Sequence, residues 1–192
     1  MTLLKKFSIA LVTMVASVLM ATSAVADDSY GATLAEFQKA TETHHFFDTA
    51  YGYAVFPTVG KGGIGIGAAY GKGRVYRGGV YTGNSTLTQL SIGFQLGGQA
   101  YSEIIFFKDA KAYNDFTSGS FEFGAQASAV AINLGANAQA GTTGNSAAAG
   151  QHGGSQTARA AYINGMAVFT AAKGGLMFEA ALAGQSFTFD QR

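Results

Sequence analysis

Proton transfer, nucleophilic attack and metal binding all require titratable or ligating groups gathered in space, and this sequence offers few in any pattern. It has three His and no Cys. His44 and His45 are adjacent, so on a helix their side chains diverge by roughly 100°. Two ligands on one helical face need a spacing of three or four, and no carboxylate cluster accompanies this pair. His152 falls in a Gly/Ala/Ser/Thr stretch, and the acids are scattered singly. Without Cys, thiolate zinc sites and disulfides are excluded. The glycines of Gly63 to Gly73 resemble a nucleotide loop only at first sight. Tyr70 stands where G-x-G-x-x-G requires its last Gly, and Lys61 and Lys72 are each followed by Gly rather than Ser or Thr. The pattern there is also strand and turn, whereas phosphate loops open a helix. The expectation is a protein without catalytic residues, metal or cofactor.

One constellation has a chemical use. Lys61, Lys72, Arg74 and Arg77 fall on a short stretch of strand and turn, with Tyr70, Tyr76 and Tyr81 among them. Cations beside half-buried aromatic rings suit the boundary of a lipid headgroup layer, where the ring sits at the interface and the cation meets phosphate. Solvated strand surface would show the same residue types. Lys72 and Arg74 share one strand face; Arg77 has the opposite parity unless the chain turns first, and Lys61 and Arg77 join the pair only if turns bring them round.

The elements that must carry these residues are mostly strands. Hydrophobic residues make up 48% of the chain and charged residues 12%, about half the usual charged share. Gly is abundant, at 27 residues, without a three-residue period. Tyr30 to Ala50 reads as helical, with Leu34, Phe37 and Ala40 on one face and Thr41 or Thr43 as caps for a second helix carrying Phe46 and Phe47. Pro57 closes the segment Tyr53 to Phe56. Ile64, Ile66, Ala68 and Tyr70 alternate with Gly, leaving one strand face as bare backbone open to close approach. Gly71-Lys72-Gly73 and Gly78-Gly79 read as turns, and Ser91 to Leu96 as a strand. Ile104 to Phe107 is apolar throughout, as in a strand buried on both faces, and Asp109 caps a helix through Phe116. Phe121 and Phe123 resume the strands. Gly141 to Ser155 reads as a mobile loop, followed by strands over Tyr162 to Ala171, Leu176 to Ala183 and Ser186 to Phe189.

The first 26 residues read as an address. Lys5 and Lys6 precede an apolar stretch from Phe7 to Met20, too short to span a bilayer comfortably, and Ala24-Val25-Ala26 supplies the small residues of a peptidase site. No Cys follows to take a lipid. Removing this segment leaves ten basic against eleven acidic side chains, a balance that argues against nucleic acid as a partner. The expectation is a secretory signal peptide over 1–26, one domain over 27–192, and a periplasmic or secreted product, free or held peripherally on a membrane.

Several segments resemble the SYLF domain family. Tyr51-Gly52-Tyr53-Ala54-Val55-Phe56-Pro57 with Gly60-Lys61-Gly62-Gly63 is similar to the family's opening motif, and Gly65 to Val75 to its next block. Ser91 to Ala100 resembles its Gly/Gln strand, Gly124-Ala125-Gln126-Ala127-Ser128 its G-A-x-A-S motif, and Lys173 to Gly184 its closing segment. The likeness implies lipid binding: eukaryotic members bind phosphoinositides, and yeast members are also described as actin-binding. Two features differ, Gln126 in place of a frequent acid and a signal peptide in place of an amphipathic N-terminal helix. An exported bacterial member would meet neither phosphoinositides nor actin routinely. The expected partner is therefore a phospholipid or membrane surface, with an envelope protein as the alternative. The expected fold is α+β: a mainly antiparallel, Gly-rich, curved or partly closed sheet with N-terminal helices on it and one short helix between strands. A small outer-membrane β-barrel is the rival architecture.

Overall fold

The computed structural model describes residues 28–64, 66–92, 98–124, 131–134, 161–173 and 182–192. Helix α1 covers 28–39 and α2 covers Thr41–Thr49. Strands β1 (Gly52–Ile64), β2 (Ile66–Arg77), β3 (Val80–Ile92) and β4 (Gly98–Phe107) follow, then α3 (Ala110–Phe116). The remaining strands are β5 (Ser120–Glu122), β6 (Ala131–Leu134), β7 (Met166–Lys173) and β8 (Gln185–Gln191). They form one eight-stranded sheet in the order β5-β8-β3-β2-β1-β4-β7-β6. Every ladder is antiparallel except β6 on β7. This is the expected α+β architecture. Among the described residues the sheet is not closed, with edges at β5 and β6, so they do not form the rival barrel.

The sheet is strongly curled. On a flat sheet, β8 and β4 would lie about 19 Å apart, four strand spacings. Yet the Gln185 amide of β8 donates to Glu103 of β4 at 3.1 Å. The concave side holds an aromatic core of Phe56, Phe107, Phe116, Phe187 and their aliphatic neighbours, closed at one end by α3. The convex side of β1, β4 and β7 packs under α1 and α2 through Phe37, Phe46, Val55, Ile104, Phe106 and Phe169. Ile104 to Phe107 therefore faces two cores at once, and all four residues are buried.

Local signals explain α3. The Asp109 side chain accepts from the Ala112 N–H at 3.0 Å, and Ala112, Tyr113 and Phe116 are the buried residues of the helix. In the β2–β3 hairpin, Gly78 and Gly79 both take positive φ (55° and 78°), the conformation a two-residue I′ turn demands. Asn164 and Gly165 (φ 52° and 81°) do the same ahead of β7.

Several expectations are corrected. Neither Thr41 nor Thr43 caps α2: its N-cap is Ala40, without a side-chain bond. The Thr43 hydroxyl instead donates back to the carbonyls of Phe37 and Ala40, binding the two helices at their joint. Pro57 does not close a strand. It lies inside β1 at a register shift between Val55 and Thr58, a bulge that removes the need for its missing N–H. The stretch from Ile64 to Tyr70 is not one strand, since β1 turns into β2 between Ile64 and Ile66. Gly71 and Gly73 are not turn glycines but sit within β2, and a Cβ at Gly73 would stand 2.5 Å from the Phe56 ring. Their bare backbone admits core side chains from β1. Strand β6 is an element the sequence reading does not contain. The signal peptide, the loop over 141–155, the G-A-x-A-S motif beyond Gly124 and most of the strand over Leu176 to Ala183 lie outside the described residues, as does the strand over Ser91 to Leu96 beyond Ile92.

Candidate functional site

Register assigns each candidate residue to a face, because directly paired residues of an antiparallel ladder point the same way. Arg74 pairs with Val55 of the convex core, and Lys72 pairs with Thr58. Tyr70 pairs with Gly60, and Tyr76 with Tyr81 across the bulge at the hairpin end. Lys72, Arg74, Tyr70, Tyr76 and Tyr81 therefore share the convex face, in one strip along β2 and β3. Lys61 pairs with Ala69, a concave-core residue, so it lies on the other face near the β1–β2 turn. Arg77 stands at the opposite end of the hairpin, 5.7 Å from the centroid of the Tyr113 ring of α3. About 26 Å of strand separates the Lys61 level from Arg77. The structure brings two of the four cations together with all three tyrosines, and leaves Lys61 and Arg77 apart from them.

Arg74 is held between rings. Its guanidinium lies 4.3 Å from the centroid of Tyr30 in α1 and 5.5 Å from that of Tyr81. Arg192 at the end of the chain approaches the same Tyr81 ring at 5.6 Å. Tyr76 stacks on Tyr53 at 5.0 Å, with 21° between the planes. The Tyr30 hydroxyl donates to the Lys72 carbonyl at 3.3 Å. Burial raises the pKa of the Tyr30 phenol, and the Arg74 charge opposes that rise. Tyr53 is likewise raised by burial. The result is a strip of phenols around a partly desolvated guanidinium, where cation–π attraction is stronger than in open water. Such a strip can hold an anion beside an apolar phase.

Two contributors escape sequence reasoning. Lys173 at the end of β7 donates through Nζ to the Thr58 hydroxyl at 3.3 Å, which places it next to Lys72, the register partner of Thr58. Tyr30 lies 44 residues before Arg74 in sequence, on an element whose docking no local signal specifies.

The concave side contains a second polar group. Glu103 is fully buried, and burial pushes its pKa up to about 8, opposed by the bond from Gln185. Gln185 Nε2 donates to Glu103 Oε2 and also, at 3.2 Å, to the Tyr101 hydroxyl oxygen. Glu103 Oε1, Gln185 Oε1 and Thr170 Oγ1 have no hydrogen-bond partner among the described residues. Its one hydrogen-bond donor among the described side chains is the Gln185 amide. Among the described residues no group of three or more His, Cys, Asp or Glu gathers as a metal site, and the adjacent His44 and His45 are both exposed on α2.

A family model described as "Ysc84: Las17-binding protein actin regulator" matches residues 88–192. The match runs from the second half of β3 to the C-terminus and includes Lys173, whereas the cations at 61–77 precede it. No curated protein matches the chain.

Proposed function

The chain belongs to the Ysc84 (SYLF) family, a family of binding domains, and from that membership we propose that it is a non-enzymatic, exported module that engages phospholipid headgroups at the cell envelope. The observation that carries the reading is the convex strip of Lys72 and Arg74 set among Tyr30, Tyr70, Tyr76 and Tyr81. Cations beside rings of this kind match the layer where phosphate meets the apolar interior. Lys61 and Arg77, on other surfaces, provide an internal comparison of equal charge.

The test is co-sedimentation with vesicles containing phosphatidylglycerol, set against vesicles of phosphatidylcholine alone. The protein is expected to sediment with the former and less as salt rises. Lys72→Gln/Arg74→Gln is expected to lose more binding than Lys61→Gln/Arg77→Gln, with both variants remaining folded by circular dichroism. Equal binding to both vesicle types would leave the strip as solvated surface. A second reading, a protein-interaction module, is favoured by the family description, which names a protein partner. Failure to bind any vesicle, together with capture of a defined envelope protein, would establish it in place of the first.

A further inference from the structure

Lys173 is the last residue of β7, two strands from β1, yet its ammonium reaches the Thr58 hydroxyl. Its register partner in β4 is Ala100, and the next β4 residue on that face is Ser102. Both are small, so the lysine stem can lie across β4. Lys72 is paired directly with Thr58, which puts its Cβ about 5 Å from that of the threonine. The Lys173 ammonium thus reaches the hydroxyl beside which the exposed Lys72 side chain leaves the sheet. An ammonium has three donors, and Thr58 takes only one of those on Lys173.

Among the described residues, the strands around the two lysines bring no acid to this face. β1, β2, β3 and β7 contain no acid, and Glu103, the acid of β4, faces the concave side. Cations set side by side on strands that bring no acid to them are stabilised by an anion from outside. The floor beside them is open: Gly60 is in register with both Tyr70 and Ala100, and a Cβ at Gly60 would meet nothing within 4 Å. Along β2 and β3 the face then changes character in one direction. Beyond Lys72 comes Tyr70, 52% exposed, and beyond that Leu90, 79% exposed, paired with Ala68. An open groove of about 560 Å³ runs along this end, lined by Ala68, Tyr70, Thr88 and Leu90, with Glu122 on its far wall.

We propose that Lys72 and Lys173, flanking Thr58 beside the bare backbone of Gly60, form a two-cation seat for the phosphodiester of a membrane lipid, with Tyr70 and Leu90 on its acyl side. The proposal rests on the lipid reading above and adds to it a residue, an orientation and a ligand group. Cations lie about 7 Å behind Tyr70 along the strand, so the end of the sheet carrying the β1–β2 turn meets the membrane first.

The experiment compares the purified protein with Lys72→Gln, Lys173→Gln, the double variant, Lys173→Arg and the control Lys111→Gln, on phosphatidylglycerol-containing vesicles. Each single Gln variant is expected to bind about five-fold more weakly, and the double variant more weakly still. Lys173→Arg should retain binding, and Lys111→Gln should match the parent. Soluble glycerol phosphate, at the same phosphate concentration, should compete poorly. If the parent binds these vesicles and Lys173→Gln binds equally well, the seat is overturned while the lipid reading stands. If the parent binds no anionic vesicle, the lipid reading falls and the seat with it. Equal competition by glycerol phosphate would reassign the site to soluble phosphates and overturn the membrane orientation.

Discussion

Glu103 makes the clearest claim on a single residue. Its carboxyl is buried among the strands of the concave core and keeps its proton to about pH 8, against an ordinary value of 4.5. Below 4.5 the folded and unfolded chains are both protonated there, and the contribution of Glu103 to stability is complete. Between 4.5 and about 8 only the folded chain holds the proton, so stability falls as pH rises, with a slope of up to about 1.4 kcal/mol per pH unit. Glu103→Gln keeps an acceptor for the Gln185 amide and does not ionise. Urea midpoints measured from pH 5 to pH 8 should decline in the parent and flatten in the variant. Parallel declines would mean that the carboxyl is ionised and solvated in the folded chain. Nothing local in the sequence announces this residue. It is one of several single acids, and its partner Gln185 lies 82 positions away. The same distance problem hides Lys173, 115 positions from Thr58. Lys72 and Arg74, two apart on one strand, need no tertiary knowledge to be paired.

Among the elements, legibility follows the range of the physics. The α3 helix and the doubly buried run before it are specified by a cap three residues from its target and by unbroken apolar sequence, so both are readable. The glycines of β2 are not, because a turn glycine and a packing glycine are the same letter. Which role applies depends on what crosses above them. At Gly73 it is Phe56, whose ring atoms would lie 2.5 Å from an added Cβ, while at Gly62 of the neighbouring β1 nothing lies within 4 Å. Gly73→Ala should therefore displace the Phe56 ring from its contact with Phe187 and cost roughly 1–3 kcal/mol. Gly62→Ala should be neutral or gain up to about 1 kcal/mol through a less flexible unfolded chain. Chemical denaturation of the two variants checks both signs. Equal small effects would mean that β1 and β2 are packed less closely than the register implies. The Pro57 bulge belongs to the same class: proline announces an interruption, but only the neighbouring strands show that β1 resumes beyond it.

For the whole molecule, the decisive feature is a sheet curled enough to bury its concave side but left open at β5 and β6 among the described residues. An integral barrel turns an apolar band outward to lipid. Here the convex face of β1, β4 and β7 around Val55, Ile104, Phe106 and Phe169 lies under helices, and that of β2 and β3 carries Lys72, Arg74 and Thr86. That distribution suits a protein that touches a membrane rather than spans it. Together with the Lys5-Lys6, apolar and Ala24-Val25-Ala26 pattern of the first 26 residues, it leads to a definite expectation for the exported form. Its intact mass should correspond to a chain starting at Asp27, and it should be recovered in the periplasmic fraction or loosely on membranes. Any membrane-bound portion should be released by salt, because exposed cations act over only about 8 Å at physiological ionic strength, and by alkaline carbonate. Recovery instead as a carbonate-resistant, heat-modifiable membrane protein would mean that the sheet closes in lipid. An intact mass that retains the first 26 residues would make the apolar stretch an anchor. The salt dependence would then describe the domain's second contact with the membrane rather than its only one.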